Sequence, residues 1–244
     1  MKTDRELELM INQLLDGFYK RRIKKLTELK LRDTLKRKNP YLFKAIGTQD
    51  AAEIVENLLT AYMSSSDEGI FGDAFFEPLA RGASGYKVSD GEGVDIAIEN
   101  SNSFIAIAVK SGTSVFNASS KKKQSENFQS LQRRVSKLKK RYEAIVGYCY
   151  GRKKSRGKGQ YSFEEIAGQE FWTRITGDED FYLKIIRLMK RKPQEHKMVY
   201  QEEWDKAKNR FTSEFTSLFC NDDGSINWDR LAEFNSGIAK SKTR

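Results

Sequence analysis

Asp95 stands fifteen residues before Lys110, and the segment joining them most constrains how the chain can fold. Residues 91–99 read Gly-Glu-Gly-Val-Asp-Ile-Ala-Ile-Glu, and residues 104–110 read Phe-Ile-Ala-Ile-Ala-Val-Lys. Both are short β-branched runs, and Glu99-Asn100-Ser101-Asn102-Ser103 between them is turn chemistry. The pattern predicts a β-hairpin. Side chains alternate along a strand, so Asp95, Ala97 and Glu99 share one face of the first strand, as Ala106, Ala108 and Lys110 do in the second. A turn centred on residues 101 and 102 sets Asp95 beside Ala108 and Lys110. A carboxylate and an ammonium at the mouth of an apolar hairpin can hold a divalent metal and a water at a phosphodiester. An ion pair at a sheet edge is the plainer outcome of the same spacing. Two neighbouring features favour a close-approach site: Ser111-Gly112, where the second strand opens into a loop, and the flexible residues 89–93 ahead of Asp95.

The charge distribution points the same way. The net charge is +10, yet residues 121–158 carry fourteen Lys or Arg against two acids, Glu126 and Glu143. A second block, residues 20–44, carries eleven against two. Solvated helix faces usually mix signs, so two unbalanced blocks imply a phosphate-rich partner. No amphipathic helix with an aromatic apolar face accompanies them, which sets a lipid surface aside in favour of nucleic acid.

Other chemistries are poorly served. The one histidine, His196, lies in the basic stretch Arg191-Lys192-Pro193-Gln194-Glu195-His196 and reads as a surface residue. Ser-His-Asp hydrolysis and histidine-rich zinc sites are therefore disfavoured. Cys149 and Cys220 are seventy-one residues apart, without metal-ligand spacing, and read as reduced core residues. There is no phosphate-binding G-x-x-x-x-G-K-[ST] loop. No apolar run reaches the length of a membrane span and the N-terminus lacks a signal peptide's hydrophobic stretch, so the expected location is the cytoplasm of a bacterium or archaeon.

Helical periodicity is expected over residues 4–38, ended by Asn39-Pro40, and again from Asp50 to Tyr62. Residues 64–69 read as a loop, residues 70–80 as a short helix strained by Pro78, and residues 82–93 as a Gly-rich connector. After the hairpin, a helix is expected over residues 121–142 and a buried strand over 144–150. Helical segments follow at 163–166, 181–189, 200–219 and from about Asn227. The whole reads as one domain over residues 1–244, with a basic helical region (1–48), a catalytic core (49–160) and a helical C-terminal region (161–244). The expected fold is α/β, a mixed sheet flanked by helices.

Several phrases carry a family resemblance. Glu77 precedes the hairpin in Phe75-Phe76-Glu77-Pro78-Leu79, Asp95 starts it, and Val109-Lys110-Ser111-Gly112 ends it. This order resembles the PD-(D/E)XK nuclease superfamily. Lys38-Asn39-Pro40-Tyr41-Leu42-Phe43, Ser64-Ser65-Ser66-Asp67-Glu68 leading to Phe71-Gly72, and Phe171-Trp172-Thr173-Arg174-Ile175-Thr176-Gly177-Asp178 look like the type II restriction endonucleases grouped with PmeII. There is one departure: Ala108 stands where the superfamily has Asp or Glu, and an alanine cannot ligate a metal. Some members carry the missing group on the following helix, about fourteen residues beyond the lysine, which here is Gln124. Gln124 lies four residues before Phe128 on the inward face, whereas Glu126 turns outward.

The resemblance implies a restriction-endonuclease-like core and a site-specific deoxyribonuclease that cuts double-stranded DNA with Mg²⁺, Mn²⁺ substituting. It implies Asp95, Glu77 and the Val109 carbonyl as metal ligands, Lys110 at the attacking water, and Gln124 completing the site. Lys121, Lys122, Lys123, Arg133, Arg152, Lys153 and Lys154 are the expected phosphate contacts. A homodimer is expected, with a cognate DNA methyltransferase as system partner without a stable complex. A repair or junction-resolving nuclease of the same fold, or an inactive DNA-binding protein, are the alternatives.

Overall fold

The computed structural model describes residues 2–88, 91–114, 117–153 and 161–237, with the side chains of residues 87 and 88 left aside. Five strands form one sheet: β1 (Lys87–Val88), β2 (Ile96–Glu99), β3 (Ser103–Lys110), β4 (Arg141–Tyr148) and β5 (Glu164–Ala167), in spatial order 1-2-3-4-5. β1, β2 and β3 run antiparallel; β3, β4 and β5 run parallel. The sheet is mixed and flanked by helices, as the α/β restriction-endonuclease-like expectation requires.

The hairpin turns where its sequence dictates. The Asn100 side-chain oxygen accepts from the backbone of Asn102 and Ser103 at 2.9 and 2.7 Å, an Asx-type turn. Ile96 then pairs with Ile107 and Ala97 with Ala106. The parallel step from β3 to β4 needs a crossover, and α6 (Ala118–Val135) supplies it, capped by the Asn117 side chain.

Alternation sorts the sheet into two buried faces. On one, Ala106, Ala108, Ala144, Val146 and Tyr148 pack under Phe128, Leu131 and Val135 of α6. The small alanines let the helix approach closely, and Phe128 fills the space they leave. On the other, Ile96, Ile107, Val109, Ile145 and Ile166 meet α1 (Asp4–Glu28), α5 (Glu77–Ser84), α7 (Gln169–Thr176) and α8 (Phe181–Met189), through residues such as Ile11, Leu79, Trp172 and Ile185. Each fully buried large apolar side chain contributes about 1.5–3 kcal/mol. Trp172 is buried with its indole N–H satisfied by the Cys149 carbonyl at 2.8 Å.

The chain divides into two compact units, residues 1–18 with 68–193, and residues 19–67 with 194–244. The boundaries fall inside α1, α4 (Ala51–Phe71) and α9 (Lys192–Phe219). The first unit holds the sheet. The second is helical, built from the rest of those three helices with α2 (Leu31–Leu35), α3 (Pro40–Ala45) and α10 (Trp228–Asn235), around Leu26, Leu35, Ile54, Leu58, Phe211 and Phe215. No described helix is long and apolar enough to cross a membrane.

Four expectations are corrected. Residues 64–69 continue α4 to Phe71, because Asp67 is held by Arg22 at 2.7 Å and Phe71 packs edge-on against Phe18. The first helix stops at Glu28 before the short α2, so residues 4–38 are not one helix. The helix expected over residues 121–142 ends at Val135, and after a left-handed turn at Lys139 (φ 55°) Tyr142 already lies in β4. Residues 164–167 are a strand: parallel pairing to β4 outweighs the local pattern.

Candidate active site

The site begins just ahead of β2. Asp95 precedes Ile96, which pairs with Ile107, so the register extended by one residue leads Asp95 towards Ala108. The Asp95 backbone N–H donates to the Ile107 carbonyl at 2.9 Å, and its Oδ2 accepts from the Val109 N–H at 2.8 Å. The carboxylate thus takes a ladder position that a further strand residue would otherwise fill. Within a strand the N–H and C=O of one residue project to the same neighbour, so the Val109 carbonyl faces the Asp95 edge as well. Lys110 closes β3, and its own carbonyl turns to β4, accepting from the Cys149 N–H at 2.9 Å.

Helix α5 brings the other charges. Ahead of it, Gly72–Phe76 form a π-helical turn. One extra residue rotates the face that follows by about 100°. From α5, Arg81 Nη2 reaches Asp95 Oδ1 at 2.5 Å and Glu77 Oε2 at 3.5 Å. Arg81 was not anticipated, and its guanidinium pairs with Asp95. The signal was present as the i,i+4 spacing of Glu77 and Arg81. Burial holds the Glu77 carboxyl above its usual range, with Asp95 and Asp73 adding to the rise while Lys110 and Arg81 oppose it. Glu77, Asp95, Lys110, Arg81 and Asp73 therefore form one electrostatic cluster. Burial, and then Glu77 and Asp95, push the Cys149 thiol well up, so it stands as a neutral neighbour.

Gln124 is buried on α6 and Glu126 is exposed, the phase set by the apolar stripe. Its Nε2 donates to the Gly93 carbonyl at 2.7 Å. Gly93 has φ +69°, and a Cβ there would lie 2.5 Å from Asn127 Nδ2. The amide is thus engaged by the loop leading into Asp95. Ala108 is fully buried in the apolar cluster beneath α6, which accounts for an alanine at that position.

The basic residues divide. Lys122, Lys123, Arg133 and Arg152 are exposed. Lys121 and Lys153, expected on phosphates, instead pair with Glu165 at 2.8 and 3.0 Å. The Tyr148 hydroxyl also donates to Glu165, at 2.5 Å. Burial raises the Glu165 carboxyl, but these three donors together hold it below its usual range. Lys154 lies outside the described residues.

Residues 5–197 match the family of type II restriction endonuclease EcoO109I. The chain belongs to that family. No curated protein matches it. The match to the EcoO109I family takes in every member of the cluster, from Asp73 to Lys110, and Glu165 as well.

For an EcoO109I-family endonuclease, the donors around Asp95 suit a hard divalent cation. Two carboxylates and a carbonyl offer oxygen alone, and Mg²⁺ is commonly held by one or two carboxylates with water and substrate phosphate completing its shell. Among the described residues no three His, Cys, Asp or Glu side chains are grouped to hold a metal without such help. The oxygen donors present are of the kind that Mg²⁺ takes.

Proposed function

We propose that this endonuclease makes Mg²⁺-dependent, sequence-specific double-strand breaks in DNA. The observation that carries the reading is Asp95. Its carboxylate lies at the open end of the hairpin against Val109, in one electrostatic cluster with Glu77 and Lys110. Asp95, Glu77 and the Val109 carbonyl would hold Mg²⁺, with Mn²⁺ as a substitute. When bound, the ion supplies Lewis acidity and lowers the pKa of a coordinated water. The Lys110 ammonium, ending β3, orients the attacking water and meets the charge that grows on the phosphorane. Gln124 holds the loop that positions Asp95. The exposed Lys122, Lys123, Arg133 and Arg152 bind backbone phosphates, which fixes position without reading sequence. Lys121 and Lys153 act one step back, by fixing Glu165.

A two-fold symmetric recognition sequence would be met by a homodimer, and protection of the host would come from a DNA methyltransferase that forms no stable complex with it. The phrases at residues 38–43, 64–72 and 171–178 support a specificity grouping with the PmeII enzymes. The test is incubation of mixed plasmid and genomic DNA with Mg²⁺. Discrete fragments support the proposal, a smear points to a repair or junction-resolving nuclease, and intact DNA to an inactive binding protein. Asp95→Ala and Lys110→Ala should each abolish cleavage and keep DNA binding.

A further inference from the structure

We propose that Arg81 is a resident counter-ion, holding the place between Asp95 and Glu77 in the DNA-free protein and yielding it to the metal when DNA binds. The inference rests on the metal-dependent reading above. Its starting point is that one nitrogen, Arg81 Nη2, lies 2.5 Å from Asp95 Oδ1 and 3.5 Å from Glu77 Oε2. The two carboxylates offered to a metal are thus already bridged by a cation. A divalent ion entering the same gap meets a like charge, and with both present the repulsion opposes the attraction of the acids. Arg81 must leave, or the metal binds weakly.

The guanidinium has reason to leave and somewhere to go. Arg81 Nε is buried without an acceptor, so the bridging pose uses one corner of the fork and leaves another unmet. Asp95 cannot meet both corners here, because its Oδ2 is taken by the Val109 N–H, whereas a phosphate with free oxygens could accept from Nε and Nη together. The side chain is 37% exposed, with the whole flexible stem of an arginine between its head group and α5. Swinging from the acids to a backbone phosphate requires no movement of the helix. Beyond Asp95 and Glu77, neutral Gln124 and buried Ala108 supply no further acid to hold a metal against Arg81.

Coupling between two ligands is reciprocal. DNA that draws Arg81 away tightens metal binding, and a metal that displaces Arg81 tightens DNA binding by the same factor. The protein free of DNA is therefore kept poorly loaded, and metal enters as part of substrate engagement.

The test is Ca²⁺ binding by calorimetry to the intact protein, with and without sheared genomic DNA, for wild type and Arg81→Gln. Without DNA, Arg81→Gln should bind Ca²⁺ about tenfold or more tighter than wild type, within the usual range of such couplings. Adding Asp95→Asn should remove that gain. Wild type should itself gain about tenfold on adding DNA, a comparison that needs no variant if Arg81→Gln fails to fold. If a folded Arg81→Gln binds no tighter, or wild type binds equally with and without DNA, Arg81 is only a clamp on Asp95 and the inference falls while the metal reading stands. If neither protein takes up Ca²⁺ in the presence of DNA, the metal reading falls and takes the inference with it.

Discussion

Gln124→Glu separates two roles for the same residue. If Gln124 took the place of the acid absent at Ala108, as its position in the sequence suggests, restoring a carboxylate could keep or raise activity. In the structure its Nε2 donates to the Gly93 carbonyl at 2.7 Å, in a position 5% exposed. A carboxylate has no proton to give, so the substitution sets acceptor against acceptor and leaves the carbonyl unmet. Gly93 is itself exposed, so water can reach its carbonyl, and losing the bond costs about 0.5–1.5 kcal/mol. Gln124→Ala should lose that much, and Gln124→Glu more, because it also buries an unpaired charge. Where the loss falls on the placement of residues 91–95, each 1.4 kcal/mol or so slows cleavage about tenfold. The alanine variant should then cut about 2- to 12-fold more slowly, and the glutamate variant more slowly again. Urea denaturation, single-turnover cleavage in Mg²⁺ and hydrogen exchange over residues 91–95 measure the three effects. A Gln124→Glu protein as stable as wild type that cuts as fast or faster would refute the anchoring argument and return Gln124 to the metal.

The remaining predictions concern charge, acid and packing. Neutralising Lys122 and Lys123 should weaken DNA binding on all sequences alike and flatten the salt dependence by roughly 0.9 for each phosphate that the variant no longer neutralises. Lys121→Gln should leave that slope unchanged and lower stability by about 1.5–3 kcal/mol, the range for a hydrogen bond to a charged group, and an unaltered melting temperature would contradict this. Glu165 has a lowered carboxyl, so its stabilisation is present above the usual glutamate value of 4.5 and is lost as pH falls through its folded-state value. Thermal melts from pH 7 to pH 3 should therefore fall more steeply for wild type than for Glu165→Gln. Gly147→Ala would place a Cβ 2.2 Å from the Phe171 ring and should cost about 1–3 kcal/mol or more. Gly17→Ala, in α1 with nothing within 4 Å, should stabilise by about 0.5–1 kcal/mol, a rise of about 2–4 °C in Tm per kcal/mol.

Local pattern alone determined the hairpin, its register and the helical phase that buries Gln124 and exposes Glu126. These depend on alternation, an Asx turn and a 3.6-residue stripe, interactions between residues a few positions apart. The position of Asp95 at the mouth of the hairpin was legible for the same reason, since it follows from the turn. What the sequence could not supply lies at longer range. β5 is four residues with two acids, Glu164-Glu165-Ile166-Ala167, and becomes a strand only because β4 offers it an edge. Once it is a strand, Glu165 stands in register with Val146 and Ala108, where it engages Lys121 from α6 and Lys153 from the residues after β4, two lysines that look free in one dimension. Arg81 shows the same limit: its spacing from Glu77 was visible, but its contact with Asp95 depends on how α5 lies against the sheet after the π-helical turn. Register and helical phase are written in neighbouring residues, whereas the partner of a long charged side chain is decided by where packing brings distant elements together.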